Sequence, residues 1–227
     1  MAEQNASGAP TRALVARTMD GLHDEVLPRL ASYVEPHSRI LDLGAGTGAW
    51  AARLLALGYE VSCVELDIDG FVLDSVPCVC ADLNEKFSAE IKGSYAAITS
   101  IEVIEHLENP RHFLRQCRNL LAEGGVFLIT TPNIECIAGR LRFLRSGQFR
   151  MFDRDERLNE PTHITPIQTF MFEKAIKETG YRIVLHETTR LEPQITNPLA
   201  RVICRFVAPL VSGFKGGDHH LFILEKI

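Results

Sequence analysis

The sequence predicts a single α/β domain on a parallel sheet, with helices wound over both faces. Three observations carry this. From residue 39 onward, short apolar or β-branched runs alternate with helical stretches. Runs such as Val126–Ile129 are apolar throughout, as strands covered on both faces must be. Several helical stretches meet a glycine at Gly58, Gly124 and Gly180, the residue best suited to close a helix in the left-handed conformation. At 227 residues the chain is long enough to bury a core within one domain, residues 1–227.

In chain order, apolar positions Leu14, Val15, Leu22, Val26, Leu27 and Leu30 predict an N-terminal helix over residues 11–34, with Pro28 as a kink. Strands are expected at Arg39–Asp42, Glu60–Glu65, Cys78–Ala81, Ala96–Ser100, Gly125–Thr130, Tyr181–His186 and His219–Glu225. Helices fall between them at Gly48–Leu57, Pro110–Ala122 and Pro166–Thr179, with one helical turn in Asn84–Gly93. The long departure from this rhythm is residues 132–165, with one helix at Ile134–Arg145. A connection of this length reads as a lid or substrate-recognition insertion.

Composition excludes several classes. Hydrophobic residues at 46% and charged residues at 23% rule out a disordered or fibrous chain. A net charge of −5 argues against nonspecific nucleic-acid binding through bulk charge. The six cysteines show no C-x-x-C spacing, and several lie in apolar runs, so reduced core thiols are expected. Met1–Pro10 lacks the basic and apolar regions of a secretory leader. The longest apolar stretch, Leu199–Phe214, carries Arg201, Arg205 and Pro209 and falls short of the ~20 residues that span a bilayer. A cytoplasmic protein is expected, with peripheral membrane contact left open by that stretch.

The chemistry gathers at predicted strand ends. In Ile40-Leu41-Asp42-Leu43-Gly44-Ala45-Gly46-Thr47-Gly48-Ala49-Trp50, three glycines sit where a strand turns into a helix. There the backbone can approach a ligand and offer unpaired N–H groups. The next strand ends at Glu65, placed to accept ribose hydroxyls, and the third leads into Asp82, placed to receive an adenine amino group. In a doubly wound sheet these ends converge at one carboxyl edge.

Residues Leu41–Trp50, Glu65, Asp82, Glu102–Asn109 and Leu120–Thr131 resemble the class I S-adenosylmethionine-dependent methyltransferases, in motif most of all the ubiquinone-pathway O-methyltransferases. The resemblance implies a Rossmann-like, doubly wound, seven-stranded sheet in the order 3-2-1-4-5-7-6, last strand antiparallel. It implies S-adenosylmethionine as cofactor. Gly44 and Gly46 would line its methionine part, in a loop that takes in Asp42, Ala45 and Gly48. Glu65 with Leu66 would hold the ribose, Asp82 with Leu83 the adenine, and Ser100 with Ile101 would lie beneath the sulfonium. A dinucleotide oxidoreductase fits less well, because Ala49 occupies the third fingerprint position.

After the fourth strand comes Glu102-Val103-Ile104-Glu105-His106. On one helical turn Glu102, Glu105 and His106 share a face. With His163 they could ligate a divalent metal. Family branches with this block include small-molecule O-methyltransferases and metal-dependent RNA 3′-end 2′-O-methyltransferases. The block can equally be a structural turn in which His106 serves as a base or simply caps a loop; the candidate catalytic residues are His106, Glu105 and His163. Arg142, Arg145 and Arg150 lie in a stretch free of acidic residues, which predicts either recognition of an anionic substrate or a solvated helix. The expected function is methyl transfer to a small-molecule acceptor, at a hydroxyl of an anionic, sugar- or lipid-linked substrate. An RNA-end enzyme and a noncatalytic cofactor-binding scaffold are the alternatives.

Overall fold

The computed structural model describes residues 13–152, 163–191, 195 and 197–227. Its sheet holds seven strands: β1 (Arg39–Leu43), β2 (Glu60–Glu65), β3 (Cys78–Cys80), β4 (Tyr95–Ile101), β5 (Leu121–Pro132), β6 (Tyr181–Thr188) and β7 (His219–Lys226). They lie in the order β3-β2-β1-β4-β5-β7-β6. β1 pairs in parallel with β2 and β4, whereas β7 runs antiparallel to both β5 and β6. The expected order and the reversed last strand are both observed.

Alternate residues of each strand feed two cores. Leu41, Ile98 and Phe127 face the side covered by α3 (Pro110–Leu120) and α5 (Thr169–Glu178), where Phe113, Leu114, Phe172 and Ile176 pack. Ile40, Ala97 and Leu128 face α1 (Leu22–Ala31) and α2 (Ala49–Ala56), against Leu22, Val26, Trp50 and Leu54. The remaining α-helices among the described residues are α4 (Ile137–Ser146) and α6 (Pro198–Val207). Side-chain caps set several starts: Asn109 accepts from the His112 N–H, Gln168 from Met171, and Asn197 from Leu199 and Ala200.

Three boundaries correct the sequence reading. The N-terminal helix is not 11–34 but only Leu22–Ala31, because Gly21 at φ 85 ends any right-handed helix arriving from upstream. Residues 13–19 are instead a non-helical strap, with Leu14 and Val15 exposed. Gly124 is no helix cap. α3 ends at Leu120, the chain enters β5 directly, and Gly124 takes φ 69 within the strand. The insertion holds α4, closed by Gly147 at φ 69, while its residues 153–162 lie outside the described residues. All six cysteines are free thiols; four are buried and Cys80 is exposed.

Candidate active site

A cavity of about 740 Å³ opens at the carboxyl edge of β1–β4. Asp42, Gly44, Ala45, Gly46, Glu65, Leu66, Asp82, Leu83 and Ile101 line it, together with Glu102, His106 and His163. Residues expected from three strand ends and from a distant loop thus share one space.

The glycine loop is shaped by contacts that a side chain would break. Gly44 has φ 69, and a Cβ there would lie 2.5 Å from Val103 Cγ2. The N–H groups of Gly44 and Ala45 donate to Val64 O, which pins the loop to β2. Glu65 locks the other side: its carboxylate accepts from the N–H of Gly46 at 2.6 Å, of Leu66 at 3.0 Å and of Asp67 at 3.2 Å. Asp82 is fixed through Oδ1, which accepts from the backbone and side-chain nitrogens of Asn84.

Asp42 anchors a buried relay. Trp50 Nε1 donates to Thr99 Oγ1 at 3.1 Å, and Thr99 donates to Asp42 Oδ1 at 3.0 Å. Asp42 Oδ2 has no partner, and burial pushes the carboxyl up to about 7 despite the Thr99 hydrogen bond, with Glu65 adding repulsion. An orphaned carboxylate oxygen on a cavity wall calls for a cation. The donor-rich loop, the two acidic strand ends and this oxygen therefore fit S-adenosylmethionine, whose ammonium and sulfonium groups are cationic and whose carboxylate can accept from the loop N–H groups.

Beside the glycine loop, where Val103 lies against Gly44, the Glu-x-x-Glu-His block does not form the single face expected. Its helical turn covers only Ile104–His106, and Glu102 precedes it at φ 53, a strained position for a residue with a side chain. Glu102 and Glu105 therefore diverge. Glu102 Oε1 meets His219 Nε2 at 2.6 Å, and Oε2 accepts from the Met19 N–H. Burial disfavours the Glu102 carboxylate, but His219, Met19 and His163 together hold its carboxyl below the ordinary value. Glu105 is fully buried beneath the cavity, hydrogen-bonded by Thr131 at 3.1 Å; burial pushes it up to about 8.

His163 Nδ1 lies 2.7 Å from the carbonyl of Met151 and so must donate to it, which leaves Nε2 as an acceptor. Its ring meets His106 edge-on at 4.7 Å. Burial lowers the His163 pKa, so the imidazole is neutral at pH 7.

Other expected residues fall elsewhere. Ser100 is fully buried with an unpartnered hydroxyl and does not line the cavity. Gly48 begins α2 from behind the loop, where a Cβ would meet Leu73 and Phe71. Arg142 and Arg145 lie on α4 and are not among the lining residues. Arg150 pairs with the buried Asp218 and lines an adjoining compartment of about 560 Å³. His219 and His220, read only as strand openers, are fully buried, and His186 stacks on Phe222 rather than on the surface.

The strap is a wall of the site that no sequence pattern predicts. Thr47 Oγ1 accepts from the Val15 N–H and donates to Val15 O, so residues 15–18 form one wall of the cavity. No short-range pattern marks a strap whose partners lie 32 residues away.

A sheet in this order, with a glycine loop and two carboxylates converging on one edge, defines a class: Rossmann-like domains that bind an adenosyl group there. The sequence profile of a family described as a methyltransferase domain matches residues 15–186. This chain belongs to that family, among the class I S-adenosylmethionine-dependent methyltransferases. A ubiquinone biosynthesis O-methyltransferase from a Caulobacter species is 30% identical over 103 residues, 42% of this chain and 41% of that relative. One from Xanthomonas campestris pathovar campestris is 28% identical over 106 residues, 43% and 44% of the two chains. Both matches span less than half the relative's length. A solved S-adenosylmethionine-dependent methyltransferase from Archaeoglobus fulgidus superposes with a TM-score of 0.63 at 19% identity, covering 88% of this chain and 91% of that one. The PH0226 protein from Pyrococcus horikoshii gives 0.64 at 15%, covering 96% of each. At these identities the structures show the fold.

Removing either strand-end carboxylate tests the site directly. Glu65→Ala and Asp82→Ala should each weaken S-adenosylmethionine binding by about 1–3 kcal/mol, the scale of a lost charged hydrogen bond. Glu65→Ala should cost more, because it also frees three loop N–H groups. Calorimetry showing wild-type affinity in both variants overturns the assignment.

Proposed function

We propose that this chain transfers the cofactor's methyl group to an oxygen of a small-molecule acceptor, with His163 receiving the hydroxyl proton. The observation that carries the reading is the shared cavity, lined by the glycine loop, Glu65 and Asp82 and also by Glu102, His106 and His163. S-adenosylmethionine supplies a sulfonium methyl that is already electrophilic, so the chain's task is alignment, water exclusion and proton removal. Residues 15–18 wall the cavity, and Glu102, braced by His219, orients polar groups at the acceptor end. The unprotonated Nε2 of His163 takes the proton. The adjoining compartment shares Arg17, Thr18 and Glu102 with the cavity, which gives an acceptor a way in beside an exposed guanidinium suited to an acidic group. An RNA end is disfavoured, since the net charge is −5 and Arg142 and Arg145 stand away from the cavity.

A second reading has its own observation. Donor atoms of Glu105, His106 and His163 lie within 4.8 Å of one another, and Glu105 Oε1 is buried without a partner. Glu102, expected as a fourth ligand, is instead committed to His219. One carboxylate and two imidazoles suit zinc or manganese better than magnesium, and such an ion would lower the pKa of a bound hydroxyl. Release of S-adenosylhomocysteine across a panel of phenolic, sugar and lipid-linked hydroxyl compounds tests the first reading. Turnover that survives EDTA within about twofold leaves His163 as the base. A loss of about tenfold or more that zinc or manganese restores favours the metal.

A further inference from the structure

The face opposite the packed side of α6 is apolar and open. Leu199, Val202, Ile203 and Phe206 follow the i, i+3, i+4, i+7 spacing of one helical stripe, and all four are exposed, Phe206 by 77%. Only Cys204 of this helix is buried. Leu210 extends the stripe at 83% exposure. α6 packs against α4, which presents Phe143 at 47% and Leu144 at 83%. Two helices that would normally bury such residues instead turn them outward together.

Charge divides along the same line. Residues 137–148 and 197–217 contain Arg140, Arg142, Arg145, Arg201, Arg205 and Lys215 and no acidic residue. The rest of the chain has 18 basic residues against 29 acidic ones, a net of −11. A protein acidic overall thus concentrates positive charge around its exposed apolar stripe.

We propose that the α4–α6 face docks on an anionic lipid bilayer, with α6 lying in the interface plane. Ten residues make a helix of ~15 Å, too short to cross a bilayer but suited to lie along its surface. The apolar stripe enters the headgroup boundary while Arg201 and Arg205 reach phosphate groups beside it. A second copy of this chain fits the face less well: a twofold contact sets the same patch against itself and opposes like charges. The acidic remainder is repelled by the same bilayer, so approach is oriented as well as attracted.

Co-sedimentation of the whole chain with vesicles tests this. Vesicles of one part phosphatidylglycerol to two parts phosphatidylcholine should bind it, and phosphatidylcholine alone should bind it at least about tenfold less. Binding should weaken in high salt. Arg201→Glu with Arg205→Glu should lower partitioning by about 100-fold, and Leu199→Ser with Phe206→Ser should lower it even in low salt. Both double variants change exposed side chains and should keep wild-type S-adenosylmethionine affinity, which separates lost docking from lost folding. Equal binding to both vesicle types, or variants that bind like wild type, overturns the proposal. So does a chain that ignores vesicles but forms dimers that Phe206→Ser dissociates.

Discussion

His163→Ala is expected to lower kcat by about 10²- to 10⁴-fold, the range lost with a positioned general base, while S-adenosylmethionine affinity stays near wild type. The Met151 carbonyl fixes the proton on Nδ1, so the free lone pair sits on Nε2 in a ring lining the cavity. The hydrogen bonds of Glu65 and Asp82 do not involve His163, so its loss should leave them intact. His163→Gln, which retains a polar group but no basic nitrogen, should recover little. Single-turnover measurement with saturating cofactor is the check. A rate within threefold of wild type removes His163 from the acceptor side and leaves His106 as the candidate.

Asp42→Asn is expected to stabilise the protein at alkaline pH and impair it as a cofactor binder. Burial raises the Asp42 carboxyl from 3.8 to about 7. The ionised form is therefore disfavoured by folding, and its cost is absent below pH 4. The cost grows as pH climbs toward 7 and is complete above it, on the order of 4 kcal/mol. Asparagine removes that cost and still accepts from Thr99 through its amide oxygen. The melting temperature should rise by several degrees at pH 8 and stay near wild type at pH 4. Cofactor affinity should fall, because the unpartnered Oδ2 no longer offers charge to a cation. An unchanged melting temperature at pH 8 means that Asp42 already has a charge partner in solution.

Much of the fold was legible because its signals are local. Apolar runs such as Val126–Ile129 became β5, and Pro110, behind Asn109, became a helix start with its cap in place. The gathering of the glycine loop and the acidic strand ends in one cavity was legible for a related reason. Gly44, Gly46, Glu65 and Asp82 each lie at or just past a strand end, and a parallel sheet brings successive strand ends to one edge whatever lies between. The acceptor end obeyed no such rule. Helical spacing put Glu102, Glu105 and His106 on one face, yet the left-handed backbone at Glu102 broke the turn and sent its carboxylate to His219, 117 residues away.

The N-terminal segment failed in the same way. Leu14 and Val15 repeat at helical intervals with Leu22 and Val26, but Gly21 and the Thr47 hydroxyl made a strap of what precedes it. The sequence by itself determined the strands and the meeting of the glycine loop with Glu65 and Asp82 at one edge, since these follow from residue patterns repeated over a few positions, while the strand order came with the family resemblance. Only the tertiary structure decided that Glu102 pairs with His219, that Asp42 keeps an orphaned oxygen and that α6 shows its apolar side to solvent. The physical reason is range. Burial and pairing of a polar group depend on neighbours that the chain brings in from far away, and one sequence window holds no record of them.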